Sequence, residues 1–456
     1  MIRLNSRGVV GLCLTLIIAL SSAFNVGTVR AYDPGPDPAT VNATVAPGGS
    51  LTVTKTIHTP EIPPKPDIVF LADTTGSMGL AITNVQTNAT SIMNTVRLAQ
   101  SDSQFGAANY KDFINSDCDI DSFPYTLNQA VTANITDAQN GVGAWYTIPG
   151  GGCDTPESQL YALYQLATDP AIGWRPDSTR IIAWFGDSNG HDPSGGYSLT
   201  DAIVALQAAS IRVIAVPVNT GGNGLDTGGQ ATAITNATGG VLLPGATSNQ
   251  VADAILSGLT NLPVAVSWSL GTCDPSLTVN LTPASQTVTS GDDAVFTETI
   301  DVALDAPQGT TVSCEVNFLL DGEAVEGFTQ TINVTVPDVT PPTALCQPTT
   351  NPAGKNVPPA SGQNPDGFYI LSAKDNVDPN PSIFIADSMS SFVFGPYLIG
   401  TRIKLVQAPG ATPTAVPGTG VINWNIKLKG DAIVTATDAA GNVSAPVSCR
   451  VPPPPK

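Results

Sequence analysis

Three stretches of the chain are almost unbroken in apolar character: Ile68-Val69-Phe70-Leu71-Ala72, Arg180-Ile181-Ile182-Ala183-Trp184-Phe185 and Ile211-Arg212-Val213-Ile214-Ala215-Val216. Strands covered on both faces of a parallel sheet read this way, because neither face needs a polar side chain for solvent. Stretches with helical spacing lie between and after them, at about 80–100, 156–168, 198–209, 228–238 and 247–261. In the second of these, Leu160, Leu163 and Leu166 recur every three residues, with Pro156 placed in the first turn, where proline is tolerated. The alternation of the two patterns predicts a doubly wound α/β domain over 65–262.

On either side the period changes to two. Residues 39–62 and 263–338 are rich in Thr and Val and read as strands. The two segments resemble each other: Val45-Ala46-Pro47-Gly48-Gly49-Ser50-Leu51-Thr52-Val53-Thr54-Lys55-Thr56-Ile57 is similar to Val288-Thr289-Ser290-Gly291-Asp292-Asp293-Ala294-Val295-Phe296-Thr297-Glu298-Thr299-Ile300. An N-terminal segment this short cannot bury a core by itself. We expect it to complete a β-sandwich with 263–338, leaving the α/β domain as an insert between the two halves. Residues 339–452 contain short strands separated by Pro, Gly, Asn and Asp, and predict a second all-β sandwich, followed by a Pro-rich tail at 453–456.

The first 31 residues have a different design. Arg3 and Arg7 precede an apolar run from Val9 to Leu20, and small residues follow up to Ala31, the layout of a secretory signal peptide cleaved before Tyr32. No later stretch approaches the roughly 20 apolar residues that span a bilayer. The expectation is a secreted or extracellular protein, surface-associated at most, with no transmembrane segment after cleavage. A chain of 456 residues exceeds what one core serves, which fits three domains. With 37 acidic against 18 basic residues and a formal charge of −19, it lacks the cations that neutralise phosphates. Nucleic acid and anionic membranes are poor partners for such a surface.

Cys13 leaves with the signal peptide, so six cysteines remain, two to a segment. An even count in an exported chain reads as disulfides. Six cysteines admit about 15 pairings. Pairing within segments, Cys118 with Cys153, Cys273 with Cys314 and Cys346 with Cys449, is the economical choice. None has the CxxC spacing of a zinc or redox site.

The candidate chemistry follows the first apolar run. It ends in Asp73-Thr74-Thr75-Gly76-Ser77-Met78-Gly79, an Asp-x-Thr-x-Ser pattern with a helix behind it. Ligands of open α/β sheets bind beyond the carboxyl ends of strands, which is where these side chains emerge. One carboxylate and two hydroxyls on the same side of a loop are hard oxygen donors that suit Mg²⁺. The same residue types also serve as helix N-caps. Two further loops supply oxygens at that edge: Gly150-Gly151-Gly152-Cys153-Asp154-Thr155-Pro156-Glu157 and Phe185-Gly186-Asp187-Ser188-Asn189-Gly190-His191-Asp192.

Together the Asp-x-Thr-x-Ser loop, the Thr155 loop and Asp187 resemble the metal-ion-dependent adhesion site of von Willebrand factor A domains. Phe105-Gly106-Ala107, Asp154-Thr155-Pro156-Glu157 and Ile172-Gly173-Trp174-Arg175-Pro176-Asp177 are similar, more narrowly, to the I-like domain of integrin β subunits. The resemblance implies that Ser77 and Thr75 ligate a divalent cation directly and that Asp73 and Asp187 act directly or through water. It also implies that Glu157 and Thr155 contribute. The cation would be Mg²⁺, with Ca²⁺ or Mn²⁺ as alternatives, and its open coordination position would take an Asp or Glu carboxylate from a protein partner.

Departures narrow the likeness. Leu80 and Ala81 stand where integrin β chains have the acids of an adjacent inhibitory site, so we expect that site to be missing. A second cation site keeps Asp154, the Pro156 carbonyl and Glu157, but has Gly152 for an asparagine. The 247–261 helix, leading into a hybrid-like sandwich, would couple binding to domain orientation. Asp117-Cys118-Asp119-Ile120-Asp121 lacks the glycine and final Glu of a calcium loop and reads as an acidic loop pinned by Cys118–Cys153. The C-terminal segment, with Thr340-Pro341-Pro342 and Thr437-Asp438-Ala439-Ala440-Gly441-Asn442, is similar to hyalin-repeat and bacterial immunoglobulin-like domains.

Two alternatives remain. A structural extracellular protein with a metal-stabilised A domain would share every motif. Phe185-Gly186-Asp187-Ser188 also resembles the nucleophile block of GDSL-type esterases, with Ser188 as nucleophile. Those enzymes need a base His three residues after an Asp, late in the chain, and neither His58 nor His191 fits. The sequence therefore reads as non-enzymatic.

Overall fold

The computed structural model describes residues 33–114, 122–146, 155–349 and 367–452. The protein is a β-rich chain of several sheets. Strand Pro66–Asp73, buried at every position, is the centre of a six-stranded sheet. It pairs in parallel with Gln104–Tyr110 on one side and Thr179–Gly186 on the other. Ile211–Pro217 and Val241–Leu242 extend the sheet in parallel beyond Thr179–Gly186, and Thr126–Thr132 closes the other edge in antiparallel pairing.

Successive side chains of a strand point to opposite faces, and the central strand divides accordingly. Ile68, Phe70 and Ala72 pack with Met93 of helix Gly79–Ala99, Val142 of helix Ile135–Gly143 and Ile255 of helix Val251–Leu259. Val69 and Leu71 pack with Leu163 of helix Gln159–Thr168, Leu206 of helix Leu199–Ala208 and Ile234 of helix Gln230–Thr238. Both faces of the central strand are therefore dry, which is why it has no polar position between Ile68 and Ala72.

The structure departs from the sequence reading at Pro156. The helix begins at Gln159, after Pro156, and Glu157 is extended. Its N–H donates to Asn189 O at 2.8 Å and its carbonyl accepts from His191 N at 2.9 Å, a single parallel bridge that holds the chain straight before the helix can start. Helix Ile135–Gly143 and strand Thr126–Thr132 are additions that the apolar pattern did not reveal.

The flanking segments pair with each other. Ser50–His58 lies between Gly35–Asp37 and Asp293–Val302, with Lys55 opposite Phe296 and Ile57 opposite Ala294, and Leu277–Thr282 completes that sheet. Thr40–Thr44 runs parallel to Glu323–Val336 in a second sheet that also contains Ser285–Thr289, Pro263–Cys273 and Thr310–Leu320. Ile57, Phe296, Ile300, Phe318 and Ile332 share its core. Arg212 at the base of the parallel sheet reaches this body, donating to Pro263 O at 2.7 Å and pairing with Asp321 at 2.5 Å.

The described strands from Thr343–Pro348 to Val447–Cys449 form two further sheets around a separate core that includes Leu371, Ile385, Leu405 and Val434. Disulfides join Cys273 to Cys314 and Cys346 to Cys449, the latter tying the first strand of this region to its last. Cys118, Cys153, the 1–31 leader and the 453–456 tail lie outside the described residues. Among the described residues no helix is long and apolar enough to cross a membrane.

Candidate metal centre

Asp73 is the last residue of the central strand, and the loop after it is held down before it turns outward. Thr74 donates its N–H (2.9 Å) and its hydroxyl (3.0 Å) to Tyr110 O, and Asn109 Nδ2 donates to Thr74 Oγ1 at 2.9 Å. The buried Lys111 ammonium donates to Thr74 O and, at 3.2 Å, to Tyr146 O. These contacts leave Asp73 and Thr75 buried while Ser77 is exposed, a site closed at its root and open at its rim.

Asp73 does not act as a helix cap. Neither the 3-10 turn Gly76–Met78 nor helix Gly79–Ala99 receives a side-chain cap. Instead Asp73 Oδ1 accepts from Thr75 N (2.9 Å) and Thr75 Oγ1 (2.7 Å), and Thr75 Oγ1 lies 3.4 Å from Ser77 Oγ. Its other oxygen, Oδ2, is buried and meets no donor at good hydrogen-bond geometry, the Asp187 backbone N–H being the one further hydrogen-bonding group that acts on this carboxylate. An orphaned carboxylate oxygen is costly in a protein interior and calls for an explanation. Burial, and then the charge of Asp187, push the Asp73 carboxyl up to about 7.

Asp187 follows the neighbouring strand and is itself buried. Its Oδ2 accepts from Thr220 Oγ1 at 2.6 Å and from Gly222 N at 3.0 Å, and Ser188 Oγ lies 3.4 Å from Oδ1. Gly186 permits the approach of the two acids: a Cβ there would meet Tyr110 Oη at 2.7 Å, Asp73 Cβ at 3.0 Å and Asp73 Oδ2 at 3.1 Å. A side chain on Gly222 would similarly strike Asp187 O at 2.3 Å.

Glu157 is brought to the same edge by its bridge to Gly190 and is buried, whereas Thr155 is exposed on the preceding loop. Tyr110 marks the convergence. Its hydroxyl accepts from Trp184 Nε1 at 2.9 Å. Burial, then the charge of Asp73, hold its phenol well above the ordinary value; Trp184 works against them, and Glu157 and Asp187 add to them. The charges of three carboxylates thus act on one buried phenol, and the Thr75 hydroxyl lies between Asp73 and Ser77. Pro156 is half-buried, and Asp154 lies outside the described residues, as does the 117–121 acidic loop. Of the residues named for the alternative chemistry, His191 Nε2 sits 2.8 Å from Asp112 Oδ1 and Ser188 is buried.

The donor set fits a divalent cation. It combines hard oxygens with more negative charge than the local hydrogen bonds absorb, and one of those oxygens meets no donor at good geometry. Sequence reading missed Thr220 and Gly222, which donate to Asp187, and Tyr110, Lys111 and Trp184, of which the first two hold Thr74 and the third donates to Tyr110. A separate acidic group was also missed: Asp338, Asp375 and Asp438 have carboxylate oxygens within 4.8 Å of one another. There Asn442 donates to Asp438 Oδ2 at 2.9 Å and to Asp338 O at 3.1 Å.

No family model matches the chain. No curated protein matches it. Among solved structures it is similar to proximal thread matrix protein 1 from the mussel byssus, at 12% identity and a TM-score of 0.32, over 46% of this chain and 47% of that one. The chain thus spans about half the length of the solved protein it matches.

Proposed function

We propose that residues 65–262 are a doubly wound von Willebrand factor A-type domain, inserted in a β-sandwich and similar to the integrin I-like domain. In this reading the protein is a secreted, non-enzymatic adhesion or binding protein. Asp73, Thr75, Ser77 and Asp187 hold a divalent cation, Mg²⁺ first among them, with Glu157 and Thr155 at the rim. The observation that carries the reading is the buried Asp73 Oδ2, which meets no donor at good hydrogen-bond geometry beside a second buried acid, Asp187.

When bound, the cation supplies a Lewis-acidic position that accepts a carboxylate from a protein partner. The chain's own residues set the rest. Thr75 N–H and hydroxyl orient Asp73, and Thr220 and Gly222 orient Asp187. Ser77, exposed at the mouth, sits where a partner side chain arrives. The strand order reverses at Pro66–Asp73, the place where open sheets of this kind form a crevice.

The test is calorimetric titration of the chelated full chain with Mg²⁺, alongside capture of partners in Mg²⁺ or in chelator. The expected outcome is one-site binding that Asp73→Ala abolishes, and capture lost in parallel. Absence of Mg²⁺ binding by the folded wild-type chain would falsify the metal reading. Metal binding without metal-dependent capture would leave a metal-stabilised structural protein.

A further inference from the structure

The sandwich formed by the flanking segments has an unusual interior. Lys55, Glu298 and Gln330 are all fully buried there, at inward positions of an otherwise apolar core. Lys55 and Glu298 belong to neighbouring strands of one sheet, since Lys55 pairs with Phe296 and Val53 with Glu298. Gln330 points in from the opposite sheet, on strand Glu323–Val336, and its Nε2 donates to Glu298 Oε2 at 2.8 Å. Lys55 Nζ donates to Pro38 O. Pro38 is followed by Ala39, whose carbonyl accepts from the N–H of Thr331, the residue after Gln330, at 3.1 Å. The backbone that receives the Lys55 amine is thus bonded to the strand segment that carries Gln330, whose amide nitrogen lies against the Glu298 carboxyl.

Two oxygens in this group, Glu298 Oε1 and Gln330 Oε1, are buried without hydrogen-bond partners. An ammonium and a carboxylate in such a place carry a heavy desolvation cost, which neutral species escape. We propose that Lys55 and Gln330 are joined by an isopeptide bond between Nζ and Cδ, formed by the side chains themselves with Glu298 as the proton-transfer group. It depends on none of the metal-site observations.

The step balances without an oxidant or cofactor. The unprotonated Lys55 amine adds to Gln330 Cδ. Glu298 passes its proton to Nε2, the Cδ–Nε2 bond breaks and ammonia departs, while Nζ returns a proton to Glu298. One amine and one primary amide become one secondary amide and one ammonia. Burial favours the starting forms: it lowers Lys55 to about 8 against the opposing charges of Glu298 and Asp37, and it raises Glu298.

Intact-mass measurement on the purified, disulfide-reduced full chain tests this directly. The expected mass is lower than the processed sequence by one ammonia, and tandem fragmentation of a tryptic digest finds a branched peptide joining Lys55 to Gln330. Lys55→Met and Glu298→Gln chains should keep the full mass. A folded wild-type chain at full mass, with tryptic cleavage after Lys55, overturns the proposal even if neither variant folds. An ammonia deficit located at any other residue pair overturns it equally.

Discussion

Asp73 ends the central strand of the parallel sheet and Asp187 follows the strand beside it, and the second acid helps to keep the first protonated. Burial is the larger cause of the rise to about 7 and Asp187 the next. On the proposed metal reading, the pair links proton binding, metal binding and stability.

In the metal-free protein, Asp73 keeps its proton up to about pH 7, whereas the unfolded chain releases it near the ordinary carboxylate value. The folded state holds the extra proton between those limits, so this contribution to stability is present in acid and is lost as pH rises towards 7. Thermal melts in chelator should show that fall, and Asp73→Asn should flatten it. Mg²⁺ must displace the same proton, so its affinity should weaken as pH drops below about 7. An affinity independent of pH across that range would contradict the assignment.

Thr220 touches the site only through Asp187, which it orients by a 2.6 Å hydrogen bond. Thr220→Val keeps the shape and removes the donor. Supporting groups of this kind typically contribute about 10–100-fold in metal affinity. Calorimetry should find a weakening of that order, with little change in the melting temperature of the chelated protein.

Gly186 has no room for a methyl group, because its neighbours there are Tyr110 Oη, Asp73 Cβ and Asp73 Oδ2. Gly186→Ala should cost about 1–3 kcal/mol by overpacking, read as a lower denaturant midpoint. It should also weaken Mg²⁺ binding by displacing Asp73. A variant as stable as the wild type, with the same affinity, would show that the two strands have slack at this point.

The Cys346–Cys449 bridge closes a span of 103 residues around a core of its own. Replacing both cysteines by Ala should destabilise that region by about 4.7 kcal/mol in the chain-entropy model. Differential scanning calorimetry should show its transition moving down while Mg²⁺ binding is unchanged.

Legibility in the sequence followed locality. Asp73, Thr75 and Ser77 were readable because they are consecutive alternate residues behind an apolar run. Thr220 and Gly222 were not, since nothing in their own neighbourhood announces a carboxylate arriving from another loop. Strand Gln104–Tyr110 is buried at six of its seven positions, yet it contains Gln, Gly and Asn and shows no clean period. Its small residues are needed there: a Cβ on Gly106 would meet Gln129 O at 3.0 Å and Val69 Cγ2 at 3.1 Å. Strand Thr126–Thr132 is an edge, half-buried along most of its length, so neither alternation nor an apolar run identifies it. Lys55 and Glu298 looked like ordinary polar positions of Thr-rich strands. Only register shows that both face inward.

The pairing of Ser50–His58 with Asp293–Val302 also sets an order in time. His58 and Asp293 are hydrogen-bonded neighbours that stand 235 residues apart. During synthesis the earlier strand emerges with only the three residues of Gly35–Asp37 to pair with, and it waits while the whole intervening sheet and its helices are made. Closing so long a loop makes this the late event of folding. Until then its bare edge is a template for intermolecular pairing, which makes this strand the segment most exposed to misassembly while the rest of the chain is made.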